Sequence, residues 1–121
     1  MAPVKQVQIT FDCAEPERVA LFWSAVLGYE HQGSAAVDPS GVGPRLYFQR
    51  VPEEKVVKNR VHLDVRVGTG LVGAERLAAL EAECVRLVAL GAVRGQLLRA
   101  DGVNESCQLM QDIEGNEFCL D

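Results

Sequence analysis

No apolar run in this 121-residue chain approaches the roughly 18 residues of a membrane span, so no spanning helix is expected. A basic cluster is also lacking, and the net charge is −5, which excludes nucleic acid and anionic membrane surfaces as expected partners. The opening residues, Met1-Ala2-Pro3-Val4-Lys5, carry no export signal and run straight into strand pattern. The four cysteines, at 13, 84, 107 and 119, form no CxxC pair. Reduced thiols and a cytoplasmic location are the expectation for such a chain, with Cys84 as core filler. Disorder is not favoured either. Hydrophobic residues make up 48% and charged residues 24%, the composition of a globular domain able to bury a core without staples.

What is present is a strand with a strong period of two. Within Asn59–Val67, the run Val61-His62-Leu63-Asp64-Val65-Arg66 alternates apolar and polar residues, as a strand with one face in the core does. Val61, Leu63 and Val65 point one way, and His62, Asp64 and Arg66 the other. A weaker copy near the start, Val7-Gln8-Ile9-Thr10-Phe11-Asp12, keeps this parity. Each copy precedes an amphipathic helix that ends Leu-Gly, at Leu27-Gly28 and Leu90-Gly91. The chain therefore reads as a single domain, 1–121, built of two related halves, 1–54 and 55–121. Function is expected where their polar strand faces meet.

Taken in order, strand one is expected over about Lys5–Asp12. Pro16 and its acidic neighbours open a helix, because proline in the first turn loses no hydrogen bond and acids there suit the dipole. Val19, Phe22, Trp23 and Val26 recur at helical spacing, which puts Trp23 in a buried stripe. Tyr29–Gln32 reads as a short strand with His31 exposed. Gly33–Gly43 reads as a turn or hairpin region around Asp38-Pro39-Ser40-Gly41. Arg45–Val51 is a strand with Leu46 and Phe48 on one face and Tyr47 and Gln49 on the other. Beyond the central strand, Leu77, Leu80, Cys84, Leu87 and Val88 mark the buried face of a long helix. Val93–Leu98, Glu105–Met110 and Glu117–Leu120 complete the strands.

Gly68-Thr69-Gly70-Leu71-Val72-Gly73 matches G-x-G-x-x-G between a strand and a helix, as a dinucleotide fingerprint requires. Two features argue for a plain connector. A first strand of that fold is buried on both faces and nearly all apolar, whereas this one carries His62, Asp64 and Arg66. The acid expected about 20 residues on would fall within a helix.

Three stretches then carry a resemblance. They are Phe11-Asp12-Cys13-Ala14-Glu15-Pro16-Glu17-Arg18 with Phe22-Trp23 and Leu27-Gly28-Tyr29; Asn59-Arg60-Val61-His62-Leu63-Asp64-Val65; and Asp112-Ile113-Glu114-Gly115-Asn116-Glu117-Phe118. In this order, with β-α-β-β-β twice, the chain resembles the vicinal oxygen chelate superfamily. That group includes glyoxalase I, extradiol dioxygenases and bleomycin-resistance proteins, and the similarity is to its small glyoxalase-like branch. The last stretch looks like the superfamily's D-P-x-G-N-x turn with isoleucine in place of proline. The resemblance implies an α+β fold of paired βαβββ modules, forming a curved mixed sheet with a central cleft. Each half has an edge to protect and a short linker, so a homodimer is expected.

It also implies a site. Metal-using members take one ligand from the first and one from the last strand of each half. Those places fall on Gln8 and Gln49, then on His62 and Cys119, all four on the polar side by parity. A divalent metal (zinc, nickel, iron or manganese) is the implied cofactor, yet one histidine, one thiol and two amides depart from the usual His and Glu set. Glu117 and Asp64 are the carboxylates that could complete it, with Glu117 the first candidate general base. Three readings stay open: a glyoxalase-like lyase or isomerase acting on a small molecule; a metal-free binding protein of the bleomycin-resistance type; and a degenerate member with no tight ligand. The net negative charge suggests a cationic ligand for the second, with Trp23 or Tyr47 to stack on it.

Overall fold

The computed structural model describes residues 2–121. Two compact units, Met1–Glu54 and Lys55–Asp121, each carry one βαβββ module, and the fold class is α+β. In the first unit β1 (Gln8–Cys13), α1 (Pro16–Leu27), β2 (Glu30–Gln32), β3 (Ala35–Val37) and β4 (Arg45–Arg50) form a sheet of order β1-β4-β3-β2. In the second, β5 (Leu63–Val65), α2 (Gly73–Ala89), β6 (Val93–Leu98), β7 (Cys107–Gln111) and β8 (Glu117–Leu120) give the order β5-β8-β7-β6. Each sheet is mixed. Its first and last strands run parallel, and the remaining pairs are antiparallel.

Local chemistry explains the first unit. Pro16 begins α1, and Gly28 leaves it with φ 70°, its N–H bonded to the Ser24 carbonyl, the left-handed exit that glycine takes without a Cβ penalty. The stripe Val19, Phe22, Trp23 and Val26 is buried as its spacing predicts. Phe11 completes the aromatic core, its ring centroid 5.4 Å from Trp23 and 5.2 Å from Phe48. Trp23 and Phe48 are both fully buried, each a burial contributing about 1.5–3 kcal/mol or more. Strand one starts at Gln8 rather than Lys5, and Val7, expected inward, is 69% exposed. β1 pairs only with β4, whose first residue Arg45 stands opposite Gln8, so nothing holds the residues ahead of it. The Gly33–Gly43 stretch contains a strand that local sequence hides: Ala35 and Ala36 pair with β4 and are buried. His31 is exposed.

The larger correction lies in the second unit. The strand expected over Asn59–Val67 shrinks to Leu63–Val65, and Val61 is 79% exposed. β5 is an edge strand whose sole partner, β8, begins at Glu117 and registers Leu63 with Phe118. Upstream of that pair the chain is held by side chains instead of a ladder. α2 buries Leu80, Cys84 and Leu87 against the sheet, with the Cys84 thiol donating to Met110 Sδ at 3.4 Å. Val88 is 43% exposed, contrary to the stripe reading. The buried face turns through Arg76 instead, which is 4% exposed. The second-last strand, expected over Glu105–Met110, is shifted to Cys107–Gln111.

A bulge between Arg94 and Leu97 breaks the β6–β7 register. Gln108, 3% exposed, fills it: its amide donates to the carbonyls of Gly95 (2.9 Å) and Gln96 (3.4 Å).

Two N–H groups of the Gly68–Gly73 loop, those of Gly68 and Leu71, are committed internally. The Val67 and Gly68 N–H groups both donate to the Asp121 carbonyl (2.6 and 3.0 Å), and Leu71 N–H donates to Gly68 O. That same Gly68 carbonyl accepts from Arg76 Nη1 at 2.9 Å. A phosphate cradle needs such amides free and aimed outward; these close a turn over a buried guanidinium. Nucleotides are therefore expected to leave the melting temperature unchanged. A true ligand at about 100 times its Kd adds about 2.7 kcal/mol, readily visible in a thermal melt with NAD or ATP, and such a shift would restore the fingerprint.

Candidate functional site

β5 and β8 lie side by side with Asp64 opposite Cys119. His62 stands two residues ahead of Asp64, hence on the same face. His62 Nε2 lies 3.2 Å from Asp64 Oδ1, and the ligand atoms of His62, Asp64 and Cys119 all lie within 4.8 Å of one another. His62 and Asp64 are exposed, while Cys119 is 8% exposed at the base of the group. Two adjacent parallel strands thus deliver one nitrogen, one oxygen and one sulfur donor to a single point.

The Cys119 thiol is pushed up to about 12, first by burial and then by the neighbouring Cys107 and Asp64. Cys107 lies one step diagonally across the β7–β8 ladder, where Leu109 faces Cys119, and the two thiols are hydrogen-bonded. Burial raises the Cys107 thiol too, with the charges of Asp121 and Asp64 adding to it. Neither sulfur is a thiolate nucleophile at neutral pH, since the thiol form is unreactive. A cation beside Asp64 changes that balance, because metal coordination deprotonates a thiol outright.

Glu117, expected as the base, is put to another use. Its Oε1 accepts from Lys55 Nζ at 2.8 Å and its Oε2 from Asn59 N–H at 3.0 Å. Burial acts to raise its pKa, but the bonds from Lys55 and Asn59 outweigh it and hold the carboxyl below the usual range. Asn59 Nδ2 also donates to Asn116 Oδ1, and Asn116 Nδ2 to Asp112 Oδ2. The Asp112–Asn116 turn and Glu117 together pin the segment 55–59. A carboxylate with both oxygens occupied and a lowered pKa is a tether.

Gln8 and Gln49 do not converge. Gln8 stands opposite Arg45 and Gln49 opposite Asp12, four residues apart along the strands, or about 13 Å at 3.3 Å per residue. Gln8 accepts from Arg45 Nη1 and donates to Thr10 Oγ1. Aligning Phe48 with Phe118 makes the pair Asp12–Gln49 the counterpart of Asp64–Cys119. Thr10, not Gln8, then holds the place of His62. The sequence copies agree in parity but slip by two residues, a slip that parity cannot detect.

Beside the cluster is a cavity of about 270 Å³ lined by His62, Cys119, Glu117, Lys58, Val93 and Leu109 among others. All its lining residues belong to the second unit.

Residues 8–120 match the family described as Glyoxalase-like domain. The chain belongs to that family. Solved structures share its fold. A variant of the fosfomycin resistance protein FosX from Listeria monocytogenes, complexed with Mn(II) and a dihydroxypropylphosphonic acid, has TM-score 0.72 at 12% identity, over 98% of this chain and 90% of that one. A glyoxalase/bleomycin resistance protein/dioxygenase family enzyme from Burkholderia phytofirmans gives 0.69 at 14%, over 93% and 94%. FosX from Mesorhizobium loti gives 0.68 at 13%, over 98% and 92%. No curated protein matches the chain in sequence.

Lys58 and Cys107 are the members of this site that sequence reasoning missed. Lys58 falls in an irregular segment with no period to place it. Cys107 was visible only as one more unpaired cysteine, and its neighbour is set by the β7–β8 register.

Proposed function

We propose that this glyoxalase-like domain acts on a small molecule in the second-unit cavity as a metal-dependent lyase or isomerase. One observation carries the reading: three chemically different donor atoms within 4.8 Å of one another, on His62, Asp64 and Cys119, of which His62 and Cys119 line the cavity. His62, Asp64 and Cys119 would hold the metal, and the donor set fits a thiophilic divalent ion such as zinc. When bound, such an ion supplies Lewis acidity toward a substrate oxygen. Glu117, through Lys55 and Asn59, fixes the segment that borders the cavity.

The test is metal content after zinc loading and desalting of protein made without a polyhistidine tag. Retention of about one zinc per chain, lost in His62→Ala, is the expected result; no retention by the unmodified chain overturns the reading. A second reading, metal-free small-molecule binding, is favoured by the Cys119 thiol, whose burial beside Cys107 and Asp64 holds it in the protonated form. On that reading His62→Ala alters small-molecule affinity and leaves metal content at zero.

A further inference from the structure

We propose that the second-unit cavity takes a small monoanion with an apolar body, a carboxylate, and that Lys58 is the residue that reads its charge. The inference rests on the functional reading above for the place of binding and adds the ligand class. It comes from accounting for the charges around the cavity one at a time. Arg94 is spent on Glu81 in a two-pronged pair, Nη1–Oε2 at 2.6 Å and Nη2–Oε1 at 2.9 Å. Glu117 is spent on Lys55, and Asp64, the carboxylate beside His62, is not among the residues that line the cavity. Lys58 differs: among the described residues it has no ion-pair partner, and its ammonium makes one long contact, 3.4 Å, to the carbonyl of the next residue.

The backbone beneath it is nonetheless held. Lys55 Nζ bonds both Glu117 and the Val57 carbonyl, and Asn59 bonds Glu117 and Asn116. Lys58 is therefore a cation without an ion-pair partner among the described residues, on a segment fixed at both ends, and it lines a cavity whose other walls include Val93, Leu109 and Phe118. One uncompensated cation calls for one negative charge, and the apolar walls call for a hydrocarbon body. A volume of about 270 Å³ is at the small end of ligand sites. The lining residues, with Lys58 and Arg94 against Glu117, carry the sign opposite to that of the whole chain, net −5, so the cationic ligand suggested by overall charge is not the one this lining suits.

The test compares hexanoate with hexanamide, which share a body and differ in charge, by amide NMR titration of the full chain. Hexanoate is expected to shift the resonances of Leu109 and Phe118 and to bind about tenfold more tightly than the amide, the scale of one charge-assisted hydrogen bond. Lys58→Gln, an exposed change that leaves the segment's tethers in place, should erase the difference, and Lys58→Arg should restore most of it. Equal binding of acid and amide to the unmodified chain, no shifts at the cavity with either, or discrimination that survives in Lys58→Gln each overturns the proposal. His62→Ala separates the two readings. Discrimination lost there but kept in Lys58→Gln means that the anion is read by a metal, which leaves the functional reading standing and removes this one. Discrimination kept in His62→Ala, with metal content at zero in the unmodified chain, upholds the role of Lys58 and removes the metal.

Discussion

Cobalt(II) added to the protein is expected to give a sulfur-to-metal charge-transfer band in the near ultraviolet, and Cys119→Ser is expected to abolish it. Of the three donors within 4.8 Å, only the Cys119 sulfur can produce such a band. Its proton, held with a pKa of about 12, must leave as the metal enters, so each metal bound at neutral pH should release about one proton. That release is measurable by calorimetry in buffers of different ionisation enthalpy. The donor set also sets the order of affinities. A thiolate and an imidazole favour zinc or cobalt over manganese, which prefers carboxylate and water oxygens. Zinc should therefore displace manganese completely at equal concentration. Cys107→Ser is the control, since Cys107 lies outside the three-donor group and its loss should leave the band in place. A band that persists in Cys119→Ser, or manganese held as tightly as zinc, would show that sulfur is not a ligand.

Arg76→Met should cost about 3 kcal/mol, the scale of breaking a buried, multiply bonded charge, and lower the melting temperature by about 10 °C or more. The Arg76 guanidinium donates from Nε and Nη2 to the Ser106 carbonyl (2.9 and 2.8 Å) and from Nη1 to Gly68 O. Its Nη2 also meets Asp121 Oδ1 at 2.7 Å. One side chain in the first turn of α2 thus ties together the glycine loop, the residue before β7 and the residue after β8. Methionine fills much of the volume but leaves the Ser106 carbonyl without the two bonds from Arg76 and the Gly68 carbonyl with Leu71 N–H alone. The partly exposed Asp121 regains water, which keeps the loss below the upper end of the range. Arg76→Lys should recover part of the loss, because an ammonium lacks the planar fork that serves three acceptors at once. Arg66, which meets the other Asp121 oxygen from an exposed position, is the contrast: Arg66→Ala should cost under about 1 kcal/mol. A change under about 1 kcal/mol for Arg76→Met would remove the role assigned to it. Urea unfolding followed by circular dichroism reads all four proteins.

The parts of this fold legible in the sequence are those set by local periodicity. Trp23 and Cys84 lie in helical stripes and are buried; Leu46 and Phe48 alternate and face inward. What periodicity could not reach was set by partners. Val61 continues the alternation of Leu63 and Val65, yet it is exposed because β8 is too short to pair with it. Arg76 reads as a solvated charge on a helix and is instead buried, because three acceptors from distant segments surround it. The site shows the same division. His62, Asp64 and Cys119 were placed on one face by parity and do meet. Gln8 obeyed the same parity but missed by one full pleat repeat, and Glu117 had its carboxylate claimed by Lys55 and Asn59, residues without a pattern to announce them.

The bulge in β6 also bears on how copies of this chain meet one another. An unpaired strand edge is a template along which a second molecule can zip, and regular, flat edges are the hazard. β6 is such an edge, paired with β7 alone, but at Gly95 and Gln96 its carbonyls turn toward the amide of Gln108. Acceptors that would otherwise receive a neighbour's N–H groups are drawn back into the molecule, and the bulge bends the strand away from a straight ladder. A single buried glutamine thereby makes the outermost strand a poorer seam for a second copy at its middle.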